Sequence, residues 1–376
     1  MSESKPTLAV SLLVLPESFP AALYCLHELF WAVGRAWGDV TGEPETAACR
    51  FAPTLVSRIG VAAPSPAGPA ISVQARLDDA PSPTIVIVTD LALPFDAELG
   101  GRWEHEADWV RRMHAKGAVV CSICSGALFL AQAGLLGGLE ATSHWSVASM
   151  FRRRYPDVQF RPERILCPTG PEHRIVTAGG ASSWSELGLY LVARFAGESE
   201  ARRMSKLFVI GDKSEGQLPF AAMARPCQHA DAAIAGAQLW IADNYTAANP
   251  VARMAEIASL PGRTFSRRFR KATGYTPVEC VQALRIEEAK QMLETTDEPT
   301  DSVALAAGYA DPVFFRRVFK RAVGVTPARY RQRGGSLPRA SLGEAVARTI
   351  SPNPPHPTAR RRRGRPPGSS AGPRDP

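Results

Sequence analysis

Near-continuous apolar runs separated by amphipathic stretches mark the first two hundred residues. Three of the four runs Leu8–Leu15, Thr84–Asp90, Gly117–Ile123 and Arg174–Ala178 consist mainly of Val, Ile, Leu and Ala. Runs of this kind predict strands buried on both faces of a parallel sheet. Between them, apolar residues recur at helical spacing over Ala21–Val33, Gly101–Lys116, Ser125–Leu136, His144–Tyr155 and Ser185–Phe195. The alternation predicts a doubly wound α/β domain. Pro64–Pro83, rich in Pro, Ala and Ser, reads as loop with one short strand, and the polar stretch Gly211–Gln228 reads as a linker. From Asp231 onward the periodicity is helical only, and past Arg333 Pro, Gly, Ser and Arg dominate, a composition that predicts disorder. The expected organisation is therefore a front domain over 1–212, a linker over 213–232, an all-α domain over 233–334 and a tail over 335–376.

Two stretches of the helical region repeat each other fifty residues apart. FSRRFRKATGYTP from Phe265 and FRRVFKRAVGVTP from Phe315 agree at seven of thirteen positions. On a helix turning about 100° per residue, Phe265 and Phe269 fall about 40° apart on one face, and Phe315 and Phe319 do the same. Arg263, Ser266, Arg267 and Arg270 lie on the far side of the first copy, and Val313, Arg316, Arg317 and Lys320 on that of the second. Each copy thus predicts a helix that buries a Phe pair and presents a basic face. Gly274 and Gly324 read as left-handed C-caps, each followed by a Thr-Pro that opens the next segment. A short helix and a tight turn precede each copy: Val251–Leu260 with Pro261-Gly262, and Thr300–Ala307 with Gly308-Tyr309 and Asp311 as N-cap. Helix, turn and basic helix make a helix-turn-helix, whose second helix enters the major groove. The periodic segment Pro277–Thr296 between the copies spans roughly 30 Å at 1.5 Å per residue. Successive major grooves on one face of B-DNA lie about 34 Å apart.

The signature DSVALAAGYADPVFFRRVFKRAVGVTPARYR, Asp301 to Arg331, carries a resemblance to the AraC/XylS-type regulators, whose DNA-binding domain residues 236–333 resemble throughout. The resemblance implies two helix-turn-helix units joined by a long helix, with double-stranded DNA as the partner. It assigns base reading to Arg263, Ser266 and Arg267 in the first recognition helix and to Val313, Arg316 and Arg317 in the second. Arg270 and Lys320 match phosphate contacts. Arginine is the commonest reader of guanine, and Val313 suits a thymine methyl. The bland reading of the same pattern is an unrelated bundle with basic helices.

In the front domain, GAVVCSICSGALFLAQAGLLGG (Gly117–Gly138) runs a buried strand into a helix through Cys124-Ser125-Gly126. Together with ATSHW (Ala141–Trp145) and TAGGASSWSELGLYLV (Thr177–Val192), it resembles the ThiJ/PfpI-like, class I glutamine amidotransferase-like domain over residues 7–200. The resemblance implies a flavodoxin-like α/β fold, and its pairing with an AraC-type tail is the regulator architecture called GlxA-like. A thiol at such a turn sits near a helix N-terminus, which lowers its pKa. Catalysis also needs a histidine oriented by an acid. Here Ser125 follows the cysteine where protease-like members have histidine, and Ala22 stands where the usual acid would be. Glu17 and Glu28 lie off the pattern, and His144 is the one candidate partner. The expectation is a domain without catalytic residues, in which Cys124, Ser125, His144 and Trp145 form a pocket for a small-molecule effector. The alternative is a DNA-tethered cysteine hydrolase or amidase using Cys124. Cys121 and Cys124 form a C-x-x-C, but positions i and i+3 of a strand point to opposite faces, so the pair converges on a metal only if the chain turns at Ile123; a core Cys121 and a pocket Cys124 are expected, with neither a metal nor a cofactor.

Charge sharpens this division. The chain of 376 residues carries +8 overall, distributed as −3 over 1–235, +5 over 236–334 and +6 over 335–376. An acidic front and a basic rear point to a polyanion met by the rear. Seven cysteines without a framework spacing fit a reducing compartment. Leu8–Leu15 is far shorter than a membrane span and has no basic leader before it, which makes the expected location cytoplasmic. A homodimer on paired half-sites is expected from the family resemblance, with RNA polymerase as a further partner and no membrane.

The tail contributes RRRRGRPP, whose Arg363-Gly364-Arg365-Pro366 is similar to an AT-hook core, an extended segment that lays arginines in a narrow minor groove. A protein acting through this tail alone would be an architectural minor-groove binder. Removal of residues 358–376 is expected to weaken DNA binding and to flatten the dependence of log affinity on log salt by several units, because fewer phosphate-bound counterions are released. Titrations at several salt concentrations would check this, and an unchanged slope would refute a role for the tail.

Overall fold

A computed structural model of the chain describes residues 5–94, 97–222 and 229–335. Up to Arg331 they form one compact unit. The basic tail, with Arg363 and Arg365, lies outside the described residues.

The front half alternates as its apolar pattern predicts: β1 (Thr7–Leu13), α1 (Pro20–Ala32), α2 (Ala36–Thr41), β2 (Arg50–Ser57), β3 (Ala75–Arg76), β4 (Ile85–Val88), α3 (Glu104–Ala115), β5 (Val119–Ile123) and α4 (Gly126–Gln132). It continues with β6 (Glu140–Ala141), α5 (Ala148–Arg154), β7 (Gln159–Phe160), β8 (Leu166–Thr169), β9 (Ile175–Ala178), α6 (Trp184–Ala196) and α7 (Glu198–Leu207). Seven strands form one sheet in the order β3-β2-β1-β4-β5-β9-β8, and all neighbours are parallel except β8 with β9. The central order β2-β1-β4-β5-β9 is that of a flavodoxin-like doubly wound sheet, reversing direction beside β1. Helices cover both faces, so every residue of β4 is buried. Ile85 and Ile87 pack into the core on one face, and Val86 and Val88 into the core on the other.

Strand β2 is absent from the sequence prediction because Pro53 interrupts it and its burial is irregular. The proline is tolerated because β3 pairs only with Val56 and Ser57, so Pro53 breaks no ladder on that side. The predicted helix His144–Tyr155 divides into a 3-10 turn, Trp145–Val147, and α5.

The rear half is helical: α8 (Ala232–Asp243), α9 (Pro250–Ile257), α10 (Gly262–Thr273), α11 (Pro277–Thr295), α12 (Thr300–Ala306), α13 (Pro312–Val323) and α14 (Pro327–Gly335). Gly274 and Gly324 end α10 and α13 at φ 79° and 83°, the left-handed caps expected. Thr276 and Glu279 close a capping box at the start of α11, and Asp311 caps α13 by accepting from the Val313 N–H. Two cores result. Phe265 and Phe269 pack with Ile234, Ile241 and Met254 in one; Phe315 and Phe319 pack with Val303, Tyr309 and Tyr330 in the other. Helix α11 serves both, giving Cys280 and Val281 to the first and Ile286, Ala289 and Leu293 to the second. No described helix is long and apolar enough to cross a membrane.

Phe269 and Phe319 are both fully buried. Phe269→Ala and Phe319→Ala are each expected to destabilise their unit by about 3–5 kcal/mol, the usual cost of emptying a core phenyl site. Denaturant unfolding followed by circular dichroism would measure both, and a loss near zero would mean that the repeat does not build these cores.

Candidate functional site

The two recognition helices place their predicted side chains in solvent. Arg263, Ser266, Arg267 and Arg270 of α10 are exposed while Phe265, Phe269 and Thr273 are buried. Among the described residues, no hydrogen bond or ion pair ties down Arg263, Arg267 or Arg270. Arg268, on the flank, instead pairs with Asp231 at 2.8 Å, which fastens α10 to the N-terminus of α8. On α13, Val313, Arg316, Arg317 and Lys320 are likewise exposed. Two of the arginines there have partners: Arg316 pairs with Asp301, and the Arg317 guanidinium lies 5.9 Å from the Phe314 ring. Phe314, 43% exposed beside Val313, adds an apolar surface that the Phe-pair periodicity overlooked.

In the front domain, β5 delivers Cys124 into a tight turn at φ +55°, a strained conformation for a side-chain-bearing residue. Gly126 is what permits the turn. A Cβ there would lie 2.4 Å from the Val88 carbonyl oxygen and 2.5 Å from that of Thr89. Ser125 fixes the turn from the other side, accepting from the Leu91 N–H at 2.7 Å and donating to the Leu91 carbonyl at 2.8 Å. A cavity of about 260 Å3 opens beside it, and Cys124, Ser125 and His144 all line it with Leu93, Leu128 and Met150. Trp145 does not join them. It faces a different cleft, next to Ser149 and Arg152 of α5.

The electrostatics of this pocket differ from the sequence expectation. The helix after Cys124 has only seven residues, and burial outweighs its dipole, so the thiol is pushed up to about 11. Asp90, buried at the end of β4, adds to the rise. Its own carboxyl is held above the usual carboxylate range by burial, and its Oδ1 has no hydrogen-bond partner. His144 is lowered by burial, and its Nδ1 meets the Ser146 hydroxyl at 2.6 Å. No carboxylate hydrogen-bonds to it among the described residues. Glu17 is committed to Arg102 at 2.9 Å and the Trp103 indole N–H at 3.0 Å.

Gln217, within the predicted linker, is only 3% exposed. Its amide N–H group reaches the Ser143 carbonyl at 2.7 Å and the Thr142 hydroxyl at 3.2 Å. The Ser143 hydroxyl donates in turn to the Cys124 carbonyl at 2.5 Å. Either side of Gln217, Glu215 pairs with Arg329 of α14 at 2.8 Å, and Leu218 lies against the α13 C-cap. The segment is thus docked on both domains. A polar residue in a Gly- and Pro-rich stretch gives no sequence signal of such burial.

Residues 254–333 match the model of a helix-turn-helix domain, and residues 102–194 that of the DJ-1/PfpI family. The chain is 29% identical to the HTH-type transcriptional regulator CdhR of Pseudomonas aeruginosa, covering 59% of this chain and 66% of that protein. It is 28% identical to the HTH-type transcriptional regulator GlxA of Rhizobium meliloti, covering 60% and 69%. The alignments therefore span about two thirds of these relatives. A crystal structure of a ThiJ/PfpI family protein from Pseudomonas syringae aligns at 20% identity and a TM-score of 0.42, over 57% of this chain and 80% of that one.

A thiol raised from 9.0 to about 11 is protonated at neutral pH. Iodoacetamide should therefore label Cys124 at pH 7.5 about a hundredfold more slowly than an ordinary thiol, with the rate rising about tenfold per pH unit above that. The sign for stability follows: the native state favours the protonated thiol, a contribution complete below pH 9.0 and lost as pH climbs through about 11. Mass-spectrometric labelling rates against pH provide the check, and rapid labelling at neutral pH would identify an activated thiolate.

Proposed function

We propose, for a chain that is a DNA-binding transcriptional regulator joining an AraC-type helix-turn-helix domain to a DJ-1/PfpI domain, that α10 and α13 read consecutive major grooves under control of a small-molecule effector in the front domain. The observation that carries this reading is the single helix α11, which belongs to both cores and holds two outward-facing recognition helices. Its 19 residues measure about 28 Å, close to one turn of B-DNA. Arg263, Ser266, Arg267, Arg316 and Arg317 would contact base edges, Arg270 and Lys320 phosphates, and Val313 a thymine methyl. The paired Arg316 must exchange Asp301 for a base to do so.

The pocket beside Cys124, Ser125 and His144 is the proposed effector site, without Trp145. A protonated thiol and a histidine with no carboxylate hydrogen-bonded to it favour sensing over nucleophilic catalysis. The largely apolar lining suits a small neutral molecule with one or two hydrogen-bonding groups. Ser143 and Gln217 offer a route by which its occupancy reaches Glu215, Leu218 and the second helix-turn-helix. A cytoplasmic homodimer on paired half-sites, contacting RNA polymerase at a promoter, completes the reading.

Footprinting of the full chain over its neighbouring intergenic DNA should show two protected major-groove patches about one helical turn apart. Arg267→Ala combined with Arg317→Ala should abolish both patches at physiological salt. Diffuse protection indifferent to these substitutions would refute sequence reading by the repeat.

A further inference from the structure

We propose that the cleft between α5, the docked segment around Leu218 and the helices α11 and α13 is a second ligand site, for a small organic carboxylate with an apolar or aromatic body. This goes beyond the pocket at Cys124 and rests on different residues. The cleft holds about 300 Å3, the volume of a small-molecule site, and both domains contribute its walls. Ile286, Val318 and Leu218 supply apolar surface, and the rings of Trp145 and Tyr275 flank it.

The charge inside is unbalanced. Of the two carboxylates lining the cleft, Glu279 is engaged in the capping box with Thr276, and Glu287 pairs with Lys290 at 2.9 Å. Arg152 and Arg321 have no carboxylate partner among the described residues. Arg152 lies over the Tyr275 ring at 5.8 Å, which leaves its guanidinium edge free to donate. The Ser149 hydroxyl, also lining the cleft, is buried with no hydrogen-bond partner. Two guanidinium groups and an orphan hydroxyl around an apolar floor are complementary to a carboxylate head on a hydrophobic body.

The position gives such a ligand a consequence. Arg321 belongs to the second recognition helix, one residue after Lys320, and Arg152 belongs to the front domain. An anion held by both links α13 to α5, so its binding is coupled to any movement of α13 against α5 that accompanies DNA engagement.

Isothermal titration of the full chain without DNA tests the site, using benzoate, phenylacetate and hexanoate beside benzamide. Saturable binding of at least one carboxylate is expected. For benzoate, the uncharged benzamide should bind at least tenfold more weakly. Arg152→Gln combined with Arg321→Gln should weaken whichever carboxylate binds by tenfold or more, while Arg253→Gln, which removes a surface partner of Glu256, leaves it unchanged. Both cleft arginines are exposed, and an unaltered thermal melt would show that the double variant remains folded. Undiminished binding by that variant, equal binding of benzamide and benzoate, or no saturable binding of any carboxylate would each overturn the proposal. Because no DNA is present, failure here leaves the footprinting result independent.

Discussion

The helical domain depends on one constraint: α11 is a wall of two hydrophobic cores at once. Its N-terminal half closes the core around Phe265 and Phe269, and its C-terminal half closes the one around Phe315 and Phe319. Neither unit can turn relative to the other without opening a core, and a buried phenyl contributes several kcal/mol. The geometry between recognition helices is therefore a property of packing, not of a flexible tether. The caps at Thr276, Gly274 and Gly324 fix where the helices start and stop.

In the front domain, a similar constraint yields a different chemistry. The turn that exposes a nucleophile in hydrolases is present, with Cys124 strained and Gly126 pressed against β4. Activation of the thiol is what the surroundings withhold. Burial pushes Cys124, Asp90 and His144 each toward the neutral form, and the thiol stays protonated at neutral pH. A pocket with a largely apolar lining and a protonated thiol can recognise a ligand by shape and hydrogen bonds.

Much of this was legible in the sequence where periodicity and chemistry coincided. The repeat announced both Phe pairs and the exposed basic faces, which helical spacing dictates, and both C-caps, which the glycines mark. The runs around β1, β4 and β5 announced a doubly buried sheet. Interactions that join distant segments left no local trace. Asp90 is an ordinary strand-end residue until the fold seals it beside Cys124, and Gln217 looks like linker until it docks beneath Ser143. Trp145 shows the limit from the other side: its neighbour His144 lines the thiol pocket, but the 3-10 turn starting at Trp145 carries the indole to another cleft. The helix-dipole argument for Cys124 failed because it counted the helix without the desolvation.

The ion pair between Arg316 and Asp301 makes the second recognition helix its own competitor. Any acceptor that Arg316 meets on DNA replaces a carboxylate that never diffuses away. A bidentate guanine edge compensates for that exchange, whereas a base offering a single acceptor does not. Because the pair is exposed, the threshold it sets is modest, about 0–1 kcal/mol. On the proposed reading, Arg316 therefore leaves Asp301 only for a contact worth more than that threshold, and elsewhere it stays paired and adds little to the hold.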